Sequence, residues 1–171
     1  WTYPDATGTV TLDTIAKVNT VAEDVNNSTT LQNDDHFSFS IGANETWIVE
    51  ITGKLSVAAA AGSYPGLKFT FTGPSGATMV AQSIVSTATG GSDGSATDTI
   101  RAASGTTLGT AVVSMTGGAF TFNTLVWGKF TAVITNGGTA GTVNFQWAQH
   151  NAVAVNTTFA AGSVMLAKRV I

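Results

Sequence analysis

The sequence predicts an all-β protein, built as an antiparallel β-sandwich or barrel, and two observations lead to this prediction. Apolar and polar residues alternate along several segments, which is the period of a strand whose successive side chains point to opposite faces. These segments are short, rich in Thr, Val and Ile, and separated by Gly-rich stretches. Many short strands at regular spacing are typical of sandwiches and barrels.

The clearest strand lies between Glu45 and Val57. Its apolar residues fall on one face and Glu50, Thr52 and Lys54 on the other, so the strand is predicted to be half-buried. The same alternation predicts strands containing Phe37–Ile41, Leu67–Phe71 and Val143–Trp147, and weaker strands at Thr78–Val85, Thr97–Arg101, Thr110–Met115 and Ser163–Val170. The in-phase apolar residues predict a core containing Trp47, Val49, Ile51, Phe69, Phe71, Phe122, Phe145 and Trp147.

Three segments between or within these strands carry turn or bulge signals. Phe120 to Ile134 alternates but is interrupted by Gly128, so it is either one strand with a bulge or two strands. Asn136-Gly137-Gly138 predicts a tight hairpin between two strong strands, and Pro74 in Gly73–Gly76 predicts a turn.

The N-terminal part differs from the rest, and we predict an arm or linker over residues 1–24 and the sandwich over residues 25–171. Ile15, Val18, Ala22 and Val25 are spaced as in a heptad seam. This seam is too short to form a stable coiled coil alone, so extended chain and a helix within a trimer both stay open. The chain begins with Trp1 rather than Met, which favours a processed chain or a part of a longer one.

Composition excludes several functional classes. Charged residues make up 10% of the chain and the net charge is −3, against about 25% charged residues in ordinary soluble domains. The basic residues form no stripe for nucleic acid, no run reaches the roughly 18 apolar residues of a membrane span, and the absence of Cys removes thiolate chemistry and Cys-based zinc sites. The surface must therefore be built from small polar residues or be covered by copies of the chain.

The residue types that carry catalysis do not form a recognisable set in this sequence. Neither histidine, His36 or His150, is accompanied by a cluster of carboxylates, and His150 is interpreted as a polar residue at a strand end. Asp34-Asp35 is interpreted as a solvated turn, as is Glu23-Asp24, rather than a Ca²⁺ site. Glu50 lies mid-strand, where a cross-strand polar pair explains it better than a role in glycoside hydrolysis. We predict no enzyme, no cofactor and no metal.

Three residues are candidates for ligand binding or for a subunit interface: Tyr64, Asp93 and Trp127. Trp127 is out of phase with the apolar Val126, which predicts that it faces away from the core. Tyr64 could stack on a sugar, and Asp93 is the one charge in the Gly/Ser-rich connection from Thr87 to Ala96. A flexible connection with no binding role is an equally good interpretation of these loops.

Several segments, taken in their order along the chain, carry a resemblance to a known family. These segments are Val25–Asp35 before a Phe-rich strand, Ala43–Trp47, Leu67–Phe69 ahead of Thr72–Ala77, Ala140–Gln149 and Ala161–Val164. In this order the motifs resemble those of a group of tailed-bacteriophage and prophage structural proteins, described as minor structural, tail-fibre or appendage proteins. The resemblance covers residues 25–171, with a poor match over about 84–118, and its most specific part is the Phe-Gln-Trp-Ala-Gln segment followed by Ala-Gly-Ser.

The resemblance implies a jelly-roll-like sandwich, a homotrimer and a place on the virion beside other virion proteins, with no catalytic motif. Two functions stay open: host attachment through a surface glycan or receptor by a tail fibre or appendage, and decoration of the capsid as a shell-stabilising or head-fibre protein. A polysaccharide depolymerase is disfavoured because no carboxylate pair emerges.

Overall fold

A computed structural model describes residues 13–57, 63–87, 99–115 and 122–170, and these residues form two packed antiparallel sheets. The described strands are β1 (Thr14–Val18), β2 (Glu23–Asn26), β3 (Gln32–Ile41), β4 (Thr46–Val57), β5 (Leu67–Thr72), β6 (Thr78–Thr87), β7 (Thr99–Gly105), β8 (Val112–Met115), β9 (Phe122–Thr135), β10 (Gly141–Ala148), β11 (Asn156–Phe159) and β12 (Val164–Arg169). The all-β prediction is confirmed.

The order of the strands is that of a jelly roll. The larger sheet has the order β1-β12-β4-β9-β6-β7, with β11 pairing to β2 and β4, and the smaller sheet has the order β3-β10-β5-β8. When β2, β11 and the β6–β7 hairpin are left out, eight strands remain. If these eight are numbered along the chain, their order is 1-8-3-6 in the larger sheet and 2-7-4-5 in the smaller sheet. This is the double Greek key of a jelly roll, and β6–β7 extends one edge of the larger sheet.

Aromatic side chains fill the space between the two sheets. Phe145 lies at the centre, with ring centroids 5.3 Å from Phe71 in its own sheet and 5.4 Å and 5.7 Å from Phe130 and Phe159 in the larger sheet. Tilted and edge-on ring contacts at these distances add to the burial of apolar area. The residues predicted for the core are buried, except that the side chain of Phe122 lies outside the described part of the chain.

The N-terminal boundary at residue 24 is corrected. Residues 14–18 form β1, which pairs with β12 along its whole length, and Glu23 begins β2, which pairs with β11. Residues 14–18 and 23–24 are therefore part of the larger sheet, and the helical alternative for the segment from 14 to 24 is wrong. The spacing of Ile15 and Val18 suits a heptad seam, but the ladder to β12 satisfies the backbone and Ile15 packs against the core. Residues 1–12 of the predicted arm lie outside the described residues.

The segment around Gly128 is one strand, β9, and its ladder is regular at the glycine. Gly128 pairs directly with Gly53 of β4. The register shift lies further along, where Leu55 and Val57 of β4 face Val126 and Phe122 of β9. Both glycines leave room for neighbouring side chains. A Cβ on Gly128 would lie 2.6 Å from Leu55 Cδ1, and a Cβ on Gly53 would lie 2.6 Å from Phe159 Cε1.

The hairpin predicted at Asn136-Gly137-Gly138 is wrong. β9 before it belongs to the larger sheet and β10 after it belongs to the smaller sheet, so the segment crosses from one layer to the other. Buried Asn136 fixes this crossing, because its Nδ2 donates to the carbonyl oxygens of Gly42 and Thr139. The turn predicted at Gly73–Gly76 is confirmed, with the Ala77 amide donating to the Pro74 carbonyl.

Candidate functional site

Trp127 lies on the outer face of the larger sheet, away from the core. Its side chain is 56% exposed, as expected from its phase relative to Val126. Lys54, its cross-strand partner on β4, places Nζ 5.5 Å from the indole centroid. A cation over an exposed ring is worth only about 0.5–1 kcal/mol, so Trp127 remains available for contact with another molecule.

The other two sequence candidates do not join Trp127. Tyr64 lies in the connection before β5 of the smaller sheet, and its carbonyl accepts a hydrogen bond from Asn151 Nδ2. Asp93 and residues 88–98 of its connection lie outside the described residues, as do residues 58–62 of the connection that contains Tyr64. Their binding roles stay predictions.

The outer face of the larger sheet carries a row of exposed aliphatic residues that sequence reasoning did not single out. Ile48 on β4 pairs with Val133 on β9, which pairs in turn with Val80 on β6. These three residues, which we call the outer apolar row, are 41%, 45% and 63% exposed. A shallow depression of about 270 Å³ runs beside the row. Contiguous exposed apolar side chains of this kind mark contact surfaces.

Polar residues occupy the next part of the same face. Lys129 Nζ on β9 lies 3.4 Å from Glu50 Oε2 on β4, and both side chains are about half exposed. This confirms the predicted cross-strand polar pair. An exposed pair of this kind contributes little to stability.

An open depression of about 740 Å³ lies where β1, β3, β4 and β10 meet, and Asp13 and Glu45 are the charged residues that line it. Glu45 Oε2 accepts hydrogen bonds from the Gly42 amide and from Trp47 Nε1, and Oε1 accepts one from Arg169. Arg169 also lies 2.6 Å from Asp13. The Trp47 N–H, with the Gly42 amide and Arg169, lowers the pKa of Glu45. A carboxylate so stabilised as the anion is a poor general base.

Glu45 predicts a specific pH dependence of stability. The pKa of Glu45 is lower in the folded state than in the unfolded chain. The ionised side chain therefore contributes fully to the free energy of unfolding above the ordinary pKa of a glutamate, and this contribution is lost as the pH falls through the folded-state pKa. We expect Glu45→Gln to destabilise the protein at pH 7 and to have a much smaller effect near pH 2. Urea unfolding of parent and variant at both values measures this, and Glu50→Gln serves as the exposed control. An equal loss at both pH values would show that the charge of Glu45 is not what stabilises the fold.

A second cluster joins the two sheets at the start of β3. Relative to β10, β3 has three additional residues between Asn33 and Ser38, which is a large bulge. Within it, Asp34 Oδ1 accepts hydrogen bonds from the His36 and Phe37 amides, both at 3.0 Å. The bulge turns Asp34 inward, where it is 3% exposed.

Glu23 of the larger sheet completes this cluster. One carboxylate oxygen of Glu23, one of Asp34 and one nitrogen of His36 all lie within 4.8 Å of one another. Glu23 Oε1 lies 3.5 Å from His36 Nδ1 and accepts the Asp35 amide at 2.7 Å. We call these three residues, Glu23, Asp34 and His36, the β2–β3 cluster.

Burial is the largest cause of the raised pKa values in this cluster. It raises the pKa of Asp34 against the opposing hydrogen bonds from the His36 and Phe37 amides. Burial also raises the pKa of Glu23, and repulsion from Asp34 and Asp35 acts in the same direction, whereas the Asp35 amide and His36 lower it. Two carboxylates held together away from water are costly unless a cation or a proton accompanies them.

The β2–β3 cluster corrects the interpretation of three residues. Asp34 is not in a solvated turn, His36 is accompanied by carboxylates, and Glu23 faces both. Strict alternation in β3 turns Asp34 and His36 away from the core, and only the bulge brings Asp34 inside. The Asp-x-His spacing, which places two ligand types on one face of a strand, is the signal in the sequence that could have identified the pair.

The fold and these surfaces define the chain as an all-β jelly-roll sandwich. No family model matches the sequence, and no curated protein matches it, so the resemblance to phage structural proteins stays a prediction. Among solved structures, a chain from the structure of infectious bursal disease virus Gx strain is matched with 14% identity and a TM-score of 0.19, over 91% of this chain and 39% of that chain. The chain spans about two-fifths of that chain's length, and so low a TM-score carries no argument.

Within the described parts of the chain, no helix has the length and apolar character needed to cross a membrane.

Proposed function

We propose that this chain is a structural protein of a bacteriophage virion, a β-sandwich that assembles as a homotrimer in a tail fibre or appendage and acts in host attachment. The observation that carries the proposal is the outer apolar row of Ile48, Val133 and Val80, with the exposed side chains of Leu166 and Ile84 on the same sheet face. A second copy of the chain is the occupant we infer, because the chain has few charges and symmetric self-association covers such a face. The sequence resemblance supports the virion and the trimer.

The geometry of the fold favours a structural role over catalysis. The alternating strand residues serve the core and the sheet faces, and Glu45 is stabilised as the anion by hydrogen bonds from Gly42, Trp47 and Arg169, which lower its pKa. Chemistry on such a scaffold is left to the connections. Trp127, exposed beside the polar part of the outer face, is the side chain best placed to extend an interface or contact a receptor.

Val133→Glu is expected to dissociate the oligomer. Val133 is the middle residue of the outer apolar row, and burying an unpaired carboxylate there costs several kcal/mol, which raises the dissociation constant about 100-fold or more. Light scattering at micromolar concentration should give a trimer for the parent and a monomer for the variant. Since the contact is apolar, salt should change the parent's association little.

Thr142→Glu is the matched control, because Thr142 is an exposed strand residue on the smaller sheet. This variant should remain a trimer, and both variants should keep the far-ultraviolet circular dichroism of the parent. If the parent is a monomer at this concentration, the proposal of self-association is wrong. If Thr142→Glu also dissociates, the interface does not lie specifically at the outer apolar row.

The second candidate function is decoration of the capsid. It would use the same outer apolar row for self-association, but the protein would lie on the head of the virion and not on the tail. Gold-labelled antibodies against the chain, applied to intact virions, should mark the tail or its appendages if the first proposal holds. Label on the head would replace it with decoration of the shell. Virions without label would contradict both, provided that the antibody recognises the isolated trimer.

A further inference from the structure

We propose that the β2–β3 cluster of Glu23, Asp34 and His36 binds one divalent transition-metal ion, best matched by Zn²⁺, which ties the two sheets together. This inference is independent of the proposed function. It rests on the geometry of three ligand groups and on a buried carboxylate oxygen that has no partner.

The ligand groups converge from both sheets. Glu23 lies on β2 of the larger sheet, and Asp34 and His36 lie on β3 of the smaller sheet, with their ligand atoms within 4.8 Å of one another. Zn²⁺ takes His nitrogen and carboxylate oxygen at about 2.0–2.2 Å. In the tetrahedral arrangement that Zn²⁺ adopts, ligand atoms are about 3.3–3.6 Å apart, so side-chain movements that bring the ligand atoms together by up to about 1 Å close the site.

An unsatisfied buried atom points to a missing partner. Asp34 is 3% exposed, and its Oδ1 accepts hydrogen bonds from the His36 and Phe37 amides, whereas its Oδ2 is buried and accepts no hydrogen bond from the residues that the structure describes. His36 Nδ1 is likewise buried without a hydrogen-bond partner, 3.5 Å from Glu23 Oε1. Buried polar atoms are nearly always paired, and a cation between these atoms would pair both at once.

The second nitrogen of His36 already has the partner that a metal-bound imidazole needs. His36 Nε2 lies 3.3 Å from Thr20 Oγ1, so Nε2–H can donate there and leave the Nδ1 lone pair toward the carboxylates. Such a hydrogen bond on the far nitrogen is the usual support of a metal-bound histidine. The Asp35 amide supports Glu23 in the same way through Oε1.

The chemistry of the ligands selects the class of ion. One imidazole with two carboxylates suits a borderline ion such as Zn²⁺, and Ca²⁺ is disfavoured because it requires six to eight oxygen ligands. Three protein ligands leave a coordination position for water. The side chains of Glu23 and His36 are 12% and 26% exposed, which gives an ion access from solvent.

The test uses the whole chain, treated with a chelator and then titrated with Zn²⁺ in a calorimeter and by NMR of the histidine side chains. We expect one ion per chain, a higher melting temperature, and a change at His36 Nδ1 with no change at His150. His150, the other histidine of the chain, is thus an internal control against adventitious binding. Excess Ca²⁺ should not displace the Zn²⁺.

Glu23→Gln and Asp34→Asn are the matching variants, because each keeps an oxygen acceptor for the neighbouring amides and removes the charge. Each should weaken Zn²⁺ binding by more than about tenfold, and Asp35→Asn, at the exposed neighbouring acid, should bind as the parent does. The proposal is overturned if Zn²⁺ does not bind stoichiometrically, if it perturbs His150 in place of His36, or if folded Glu23→Gln binds it unchanged. In that case a shared proton, and not a metal, accompanies the two carboxylates.

Discussion

Replacing Phe145 by alanine is expected to lower the free energy of unfolding by about 3–5 kcal/mol, the usual cost of truncating a buried phenylalanine. Phe145 is 1% exposed and its ring reaches Phe130 and Phe159 of the opposite sheet as well as Phe71 of its own. The cavity would therefore open between the layers, where the strands that line it are held by their ladders and cannot close it.

Thermal unfolding at a fixed protein concentration measures this effect, because self-association would otherwise shift the midpoint. A loss of this size lowers the melting temperature by about 6–20 °C in a chain of this length. Phe145→Leu is the control: it keeps most of the volume and should cost markedly less. A loss below about 1 kcal/mol for the alanine variant would contradict the inward phase of β10.

The alternation of residues along the chain was sufficient to predict several strands of the core and which face of each is buried. It predicted β4, β5 and β10, with Trp47, Phe69 and Phe145 inside. It missed β1, β2 and β11, because short strands near a sheet edge bury few side chains and show little alternation. It also could not supply the pairing of strands, which depends on contacts between distant parts of the chain.

Turn chemistry was the less reliable signal, for a physical reason. Asn136-Gly137-Gly138 has the composition of a hairpin turn, yet the chain passes there between layers, because β10 finds its partners in β3 and β5. Gly128 interrupts the alternation in the sequence, but in the fold it marks the place where the Leu55 side chain needs room. A glycine in a strand can thus indicate either a bulge or a close approach, and only the packing decides.

The candidate site was predictable only in part. The outward phase of Trp127 and the polar pair of Glu50 followed from strand phase, since both depend on local periodicity. The β2–β3 cluster did not, because it needs the bulge of β3 and the approach of β2 from the other sheet. The outer apolar row was also missed, since Ile48, Val133 and Val80 become neighbours only once the strand order is known.

Gly66→Ala is expected to lower the free energy of unfolding by about 2–5 kcal/mol. Gly66 has a φ of +64°, a left-handed conformation that costs a residue with a Cβ about 1–2 kcal/mol. The new methyl would also overlap the carbonyl oxygen of Met115, a backbone atom of the neighbouring strand β8, and overpacking of this kind adds about 1–3 kcal/mol. Urea unfolding of parent and variant measures the sum.

Gly109→Ala separates the two causes. Gly109 has a φ of +75°, but a Cβ on it would meet no atom within 4 Å. Gly109→Ala should therefore lower the free energy of unfolding only by the cost of the left-handed backbone conformation, about 1–2 kcal/mol. The lower conformational entropy of the unfolded variant reduces this loss. The difference between the two variants then isolates the contacts of the new methyl with Met115 and with His150 Cβ, which fix the start of β5 against β8 beside Tyr64. If both variants lose the same stability, the methyl is accommodated at Gly66, and the segment that carries Tyr64 is held less tightly than its packing indicates.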